Sequence, residues 1–350
     1  MGNQPKQQNL ALHYFSIFTA VTALSLLVTG AHVTSTDAGD SIPQWPLWTG
    51  IIGSEGTHRI IAGLTGLLIT TLTIWLWRVD DRRLVRRLAT AALLGVILQA
   101  SIGGLRVKVI SDETLQSFML ATTGAPHAGF LSTTIAIIHA TLAQIVFCLT
   151  VALAVTTTPA WKRHEAIKTH LTDGDTLHWT RRITHVLLAV VFIQLLLGAL
   201  VRHTESGLIL PRFPSFVPEP YDANAPFPIS KTIWKLKVGL HTAHRLGGII
   251  VASLIGSIAW RMTRSHRNQK PLFLTAWLMT VLTAAQLFLG ALIILSELHV
   301  TVTILHVAIG AALLGSGTIM SLWSEHLLSK ITTAHSGIEW TTEPQTGATS

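Results

Sequence analysis

Long stretches of this chain run on without a single charged side chain. Residues 12–33, 131–155, 272–295 and 300–323 contain no Asp, Glu, Lys or Arg. About 20 apolar residues in a helix cross the ~30 Å hydrocarbon layer of a bilayer. Within that layer the backbone has no water to bond, so such a segment must satisfy its own N–H and C=O groups as a helix. Eight spans can be drawn on this basis: 12–33, 57–77, 86–105, 131–155, 180–201, 238–260, 272–295 and 300–323. The fold class expected is all-α, a polytopic membrane protein. Composition agrees: 12% of residues are charged and mean hydropathy is +0.50, where a soluble domain carries about 25% charge.

The net charge of +8 does not point to nucleic acid, because the basic residues gather in the loops of one side. Arg78, Arg82, Arg83, Arg86 and Arg87 form one group; Lys162, Arg163, Lys168, Arg181 and Arg182 a second; Arg261, Arg264, Arg267 and Lys270 a third. This is the positive-inside pattern, and it puts both termini in the cytoplasm. Trp75, Trp77, Trp161, Trp179, Trp260 and Trp323 then fall at the inner interface, and Trp45, Trp48 and Trp234 near the outer one. The short polar N-terminus has no cleavable signal or transit-peptide character, which favours a bacterial inner membrane. The sole cysteine, Cys148, lies in an apolar run, so no disulfide or thiolate metal site can form within one chain.

The two halves repeat. Gly30-x3-Thr34-x-Thr36-x2-Gly39-x3-Pro43-x-Trp45-Pro46 matches Gly198-x3-Arg202-x-Thr204-x2-Gly207-x3-Pro211-x-Phe213-Pro214. Gln99-x3-Gly103, Gln194-x3-Gly198 and Gln286-x3-Gly290 recur in spans three, five and seven. The expected architecture is two pseudo-symmetric four-helix bundles, residues 12–155 and 180–323. A linker, 156–179, joins them, and 324–350 forms a polar tail.

Four of the 17 histidines stand apart: His58, His139, His244 and His306. Each lies in the outer half of an even-numbered span, roughly 25–35 Å from its cytoplasmic end at 1.5 Å per residue. The repeat pairs His58 with His244 and His139 with His306. One membrane histidine is most simply a satisfied hydrogen-bonding group. Two facing each other at one depth in each bundle make the bis-imidazole site of a b-type haem. Arg59, Arg245 and Arg202 are candidates to pair with haem carboxylates.

The halves differ at Glu55, which becomes His241 in the second. A carboxylate three residues before a ligand shares its helix face. It could stabilise developing positive charge or accept a proton. An acid at a helix N-terminus also has a plain electrostatic rationale. The asymmetry suggests one working site and one supporting site.

With these features the chain resembles the haem A synthase family. The resemblance is carried by Glu55-x-x-His58-Arg59, by Val33-Thr34-Ser35-Thr36-Asp37-Ala38-Gly39 through Ile42-Pro43-Gln44-Trp45-Pro46-Leu47, and by Leu197 through Thr204. Ile138-His139-Ala140, His244-Arg245 and Leu305-His306 complete it, over approximately residues 12–323. It implies an oxidoreductase that oxidises the C8 methyl of haem O to a formyl group by two successive hydroxylations, serving terminal oxidases. It further implies that His58 and His139 bracket haem O as substrate, that Glu55 acts at the oxidised carbon, and that His244 and His306 hold a resident haem b. The partners implied are a haem O synthase, the assembly of terminal oxidases, the lipid bilayer and an electron acceptor such as a quinone; a homo-oligomer is admitted. An outer-loop cysteine pair found in some members is absent here. The main rival is a diheme b-type cytochrome that only exchanges electrons with quinone, and a second is a transporter, where duplicated bundles also occur.

Overall fold

The computed structural model describes residues 10–39, 42, 53–162, 174–224, 229–265, 267 and 269–339. All regular structure among the described residues is helical: α1 (Leu10–Ser35), α2 (Ser54–Val79), α3 (Arg83–Ser111), α4 (Glu113–Thr123), α5 (Ala128–Thr156), α6 (Pro159–Lys162), α7 (Gly174–His203), α8 (Lys231–Ser265), α9 (Lys270–Leu295) and α10 (Val300–Glu339). Eight of these, all but α4 and α6, are long and apolar enough to cross a membrane.

The helices outrun the apolar segments that announced them. α3 reaches Ser111 rather than 105, and α8 starts at Lys231 rather than 238. Residues 324–330, assigned to a polar tail, continue α10, which extends to Glu339. Leu327 and Leu328 are drawn into the core there, at 4% and 5% exposure. Between α3 and α5 stands a helix the apolar pattern does not reveal. Asp112 caps α4 by accepting from Thr114 N and Leu115 N, both at 3.1 Å. Gly124, at φ 67°, ends it in the left-handed region. Trp45, Trp48, Arg163, His164, Lys168, His170, His266 and everything beyond Glu339 lie outside the described residues.

Packing follows chain order. α1 packs on α2, α2 on α3, α3 on α5, and α5 returns to α1. α7, α8, α9 and α10 form a second ring of the same kind. The rings meet where α10 lies against α1 and α5, and α5 against α7. Ala20, Ala23, Phe147, Val151 and Ala311 fill this seam. Small residues let helix backbones approach closely; a Cβ on Gly315 would lie 3.0 Å from Phe147 Cε1.

Each ring is filled at the end that bears the basic loops. Leu12, Ile69, Leu72, Leu76, Ala89 and Leu153 form that plug in the first ring. Leu187, Val251, Ile255, Met262, Leu272, Met279 and Met320 form it in the second. On every even-numbered span these residues follow the marked histidine, so the histidines occupy the opposite, far half. The outer surface is inverted relative to a soluble protein: Leu67, Leu94, Val281, Phe288 and Leu295 are 62–70% exposed. Such a surface faces hydrocarbon. Inside, the buried Thr65, Thr73, Thr184 and Thr283 hydroxyls donate to carbonyls four residues back at 2.7–2.8 Å, which satisfies polar groups that the apolar interior could not.

Candidate functional site: two imidazole pairs

Each of the four marked histidines rests its ring on a glycine of the preceding span. A Cβ on Gly30 would lie 3.2 Å from His58 Cε1, on Gly103 3.0 Å from His139 Cε1, on Gly198 3.1 Å from His244 Cε1, and on Gly290 3.3 Å from His306 Cε1. Any larger residue would crowd the ring. The backbone carbonyls of Leu26, Gln99, Gln194 and Gln286, each one turn before its glycine, lie against the same four rings. The edge carrying Nδ1 and Cε1 therefore faces a neighbouring helix. His139 Nδ1 and His306 Nδ1 are fully buried and form no aligned hydrogen bond. A proton on Nδ1 would leave the Nε2 lone pair free for a metal, the arrangement of a metal-ligating imidazole.

Within the second ring, His244 and His306 face each other with ring centroids 6.3 Å apart and planes at 64°. Two bonds of about 2.0 Å to a shared metal, plus about 1.1 Å from each donor nitrogen to its ring centre, give roughly 6 Å. The observed spacing fits one metal between them. In the first ring, His58 lies close enough to His139 to act on it electrostatically. Among the described residues no group of three or more His, Cys, Asp or Glu could hold a metal ion. A set of two imidazoles suits a metal whose remaining donors come with a prosthetic group, which His244 and His306 would hold.

Three of the four odd-numbered spans end alike, seven residues past the glycine. Asp37, Glu205 and Glu297 adopt φ of 50°, 53° and 50°. The next N–H bonds five residues back: Ala38 to Val33, Ser206 to Val201 and Leu298 to Ile293, at 2.8–3.1 Å. This is the Schellman stop. The repeating unit is thus a helix pair, glycine helix then histidine helix, used four times.

Glu55 is 4% exposed. Arg59 Nη2 donates to its Oε1 at 2.5 Å, and Ile42 N to its Oε2 at 2.9 Å. Arg59 Nη2 also donates to the Ile42 carbonyl at 2.8 Å. The second half keeps the plan with a neutral partner. Arg245 Nε donates to His241 Nε2 at 3.1 Å, and the guanidinium reaches the carbonyls of Ser215 (2.5 Å), Leu210 (2.6 Å) and Arg212 (3.1 Å). Both arginines, expected as carboxylate partners, tie a far-side loop to the head of a histidine helix. Arg202, at the end of α7, lies close enough to Asp37 to feel its charge.

One residue escaped the sequence reading. Arg106 on α3 lies close enough to His58, His139 and His203 to act on each electrostatically. Its guanidinium lies so close to Gly39 that a Cβ there would collide with it. An arginine three residues beyond Gly103 in an apolar run was the available signal. His127, by contrast, has a structural task, its Nδ1 accepting from Phe130 N at 3.1 Å at the start of α5.

The chain is similar over most of its length to proteins of known name. The chain is 27% identical to the Heme A synthase of Lysinibacillus sphaericus over 88% of its own length and 94% of that protein's. It is 26% identical to the Heme A synthase of Geobacillus kaustophilus, over 87% and 89%. With that of Symbiobacterium thermophilum it shares 27%, over 85% and 90%. The model of the COX15-CtaA family, described as cytochrome oxidase assembly protein, matches residues 53–318, a stretch that takes in all four histidines and Glu55. The chain belongs to the COX15-CtaA family of cytochrome oxidase assembly proteins.

Proposed function

We propose that this protein makes haem A from haem O, oxidising the C8 methyl group of its substrate to a formyl group by two successive hydroxylations. Relatives that bear the name Heme A synthase over nearly their whole length support the haem A assignment. The observation that carries the chemistry is an asymmetry: two imidazole pairs of one construction, with a buried carboxylate beside only the first.

On this reading His58 and His139 hold haem O, and His244 and His306 hold a resident haem b. The resident haem supplies one-electron transfer towards an acceptor such as a quinone. Each hydroxylation takes two electrons and a proton from the carbon and adds one hydroxyl oxygen; the resulting hydrate loses water to leave the aldehyde. Glu55 sits one turn from His58 with its charge held by Arg59 and Ile42 N. A carboxylate so placed stabilises positive charge developing on a reacting carbon and receives its proton. The low dielectric of the span interior strengthens both effects.

The basic end is placed at the cytoplasm of a bacterial inner membrane, with both termini inside. A haem O synthase as donor and the terminal oxidases as recipients are the partners this chemistry requires. The second reading, a diheme cytochrome exchanging electrons with quinone, draws on the near equivalence of the two sites. Chromatography of haems extracted from protein purified out of cells that also make haem O separates them. Haem O, its hydroxymethyl derivative or haem A is expected; haem B alone, across such preparations, would establish the carrier.

A further inference from the structure

Three of the four odd-numbered spans carry a glutamine one turn before the glycine under the imidazole: Gln99, Gln194 and Gln286. The first span carries Leu26 instead. The amides act on the histidine helices. Gln99 Nε2 donates to the His139 carbonyl at 2.9 Å. Gln194 Nε2 donates to the His244 carbonyl at 2.7 Å and lies 3.1 Å from His244 Nδ1. The Gln286 amide lies against Gly310, one turn past His306, where a Cβ would be 3.3 Å from its Nε2.

His58 has no such tie. In its place Thr29 Oγ1 lies 3.3 Å from His58 Nδ1 and donates to the Leu26 carbonyl at 3.0 Å. The matching positions on the other spans are Ile102, Leu197 and Leu289. Gln99 and Gln194 therefore pin the helices of His139 and His244 with an interhelical amide bond, the Gln286 amide packs against the helix of His306, and the helix of His58 is held at that level by one long hydroxyl contact. Interhelical hydrogen bonds within a bilayer hold neighbouring helices in register. A tie to the backbone of the ligand helix limits how far its imidazole can follow a departing metal, and removing partners outside the ligands themselves changes metal affinity by about 10–100-fold.

We infer that His58 is the yielding ligand of the first imidazole pair, the one that lets go of the iron when a porphyrin leaves that ring. This rests on the proposal that haem O binds between His58 and His139. The distribution of glutamines matches the two tasks: a resident group needs two firm ligands, while a substrate that must depart as product needs one that gives way. Leu26→Gln would convert the yielding side to the firm design. The site can take it, since Ala62 stands one turn past His58 as Ala143 stands one turn past His139.

The test is haem transfer from the purified protein to excess apomyoglobin, followed in the Soret band, with the low-spin fraction of the retained haem recorded alongside. Leu26→Gln should slow release from the first ring by roughly tenfold, the lower end of the range for such partners, and raise its low-spin fraction. Gln99→Leu should speed the same release by a comparable factor, with the haem on His244 and His306 unaffected by either change. If Gln99→Leu does not fold, Leu26→Gln decides alone. Transferable haem whose release Leu26→Gln leaves unchanged or quickens overturns the inference by itself. Wild-type protein that never yields a second haem removes the substrate site and this inference with it.

Discussion

Replacing Gly198 by alanine tests the glycine cradle where its effect is cleanest. The added Cβ would lie 3.1 Å from His244 Cε1, 3.7 Å from Nδ1 and 4.0 Å from Nε2. Carbon atoms rest about 3.5–4.0 Å apart, so the ring must retreat by roughly 0.5 Å. Retreat is opposed on one side by the Gln194 amide at 3.1 Å from Nδ1, and on the other by His306, whose ring centre is 6.3 Å away. Overpacking of this kind costs about 1–3 kcal/mol. Since 1.4 kcal/mol is a factor of ten, the second ring should bind haem roughly 5- to 150-fold more weakly. The helix itself gains about 1 kcal/mol from alanine in place of glycine. The crowding partners stand there with or without haem, so the haem-free protein should change in stability by between about −2 and +1 kcal/mol while haem affinity falls. Gly256→Ala on the adjacent α8, with nothing within 4 Å of the added Cβ, should show the gain without the loss. Haem titration of the purified proteins, read in the Soret band beside a thermal melt, measures both quantities. Gly198→Ala binding haem as tightly as Gly256→Ala would refute the cradle.

Three further outcomes are expected. Glu55→Gln should leave the haem spectrum largely intact yet stop haem A formation in cells supplied with haem O; product at the wild-type level removes Glu55 from the chemistry. His244→Leu should lose the resident low-spin spectrum, and an unaltered spectrum would place that haem elsewhere. Arg245→Gln strips donors from the carbonyls of Leu210, Arg212 and Ser215. Lost hydrogen bonds to a charged donor cost about 1.5–3 kcal/mol each, so limited proteolysis should cut the segment around 210–216 sooner than in the wild type; an unchanged cleavage pattern would show that Arg245 does not pin this loop.

Much of the site was legible because bilayers make rare residues conspicuous. His58, His139, His244 and His306 stand out against apolar spans, and the Gln-x3-Gly pattern recurs between halves. α4 was not legible, because its eleven residues lack an apolar run and its start depends on one Asp112 carboxylate. Arg106 went unremarked because a lone arginine near a span end reads equally well as an interfacial anchor. The carbonyls that Arg59 and Arg245 bind, at Ile42 and at 210–215, were not legible because they lie in loops 17 or more residues away.

Apolar length and the burial of backbone polar groups in lipid by themselves determined the eight helices, their order and the depth of the histidines. Only the packed chain decided what those histidines face. A ring's contact with a glycine on another helix depends on helix rotation and register, which side chains across the bundle set together. The same holds for the 6.3 Å approach of His244 to His306 and for the glutamine ties that single out Leu26. These are properties of pairs of helices, and no single span encodes them.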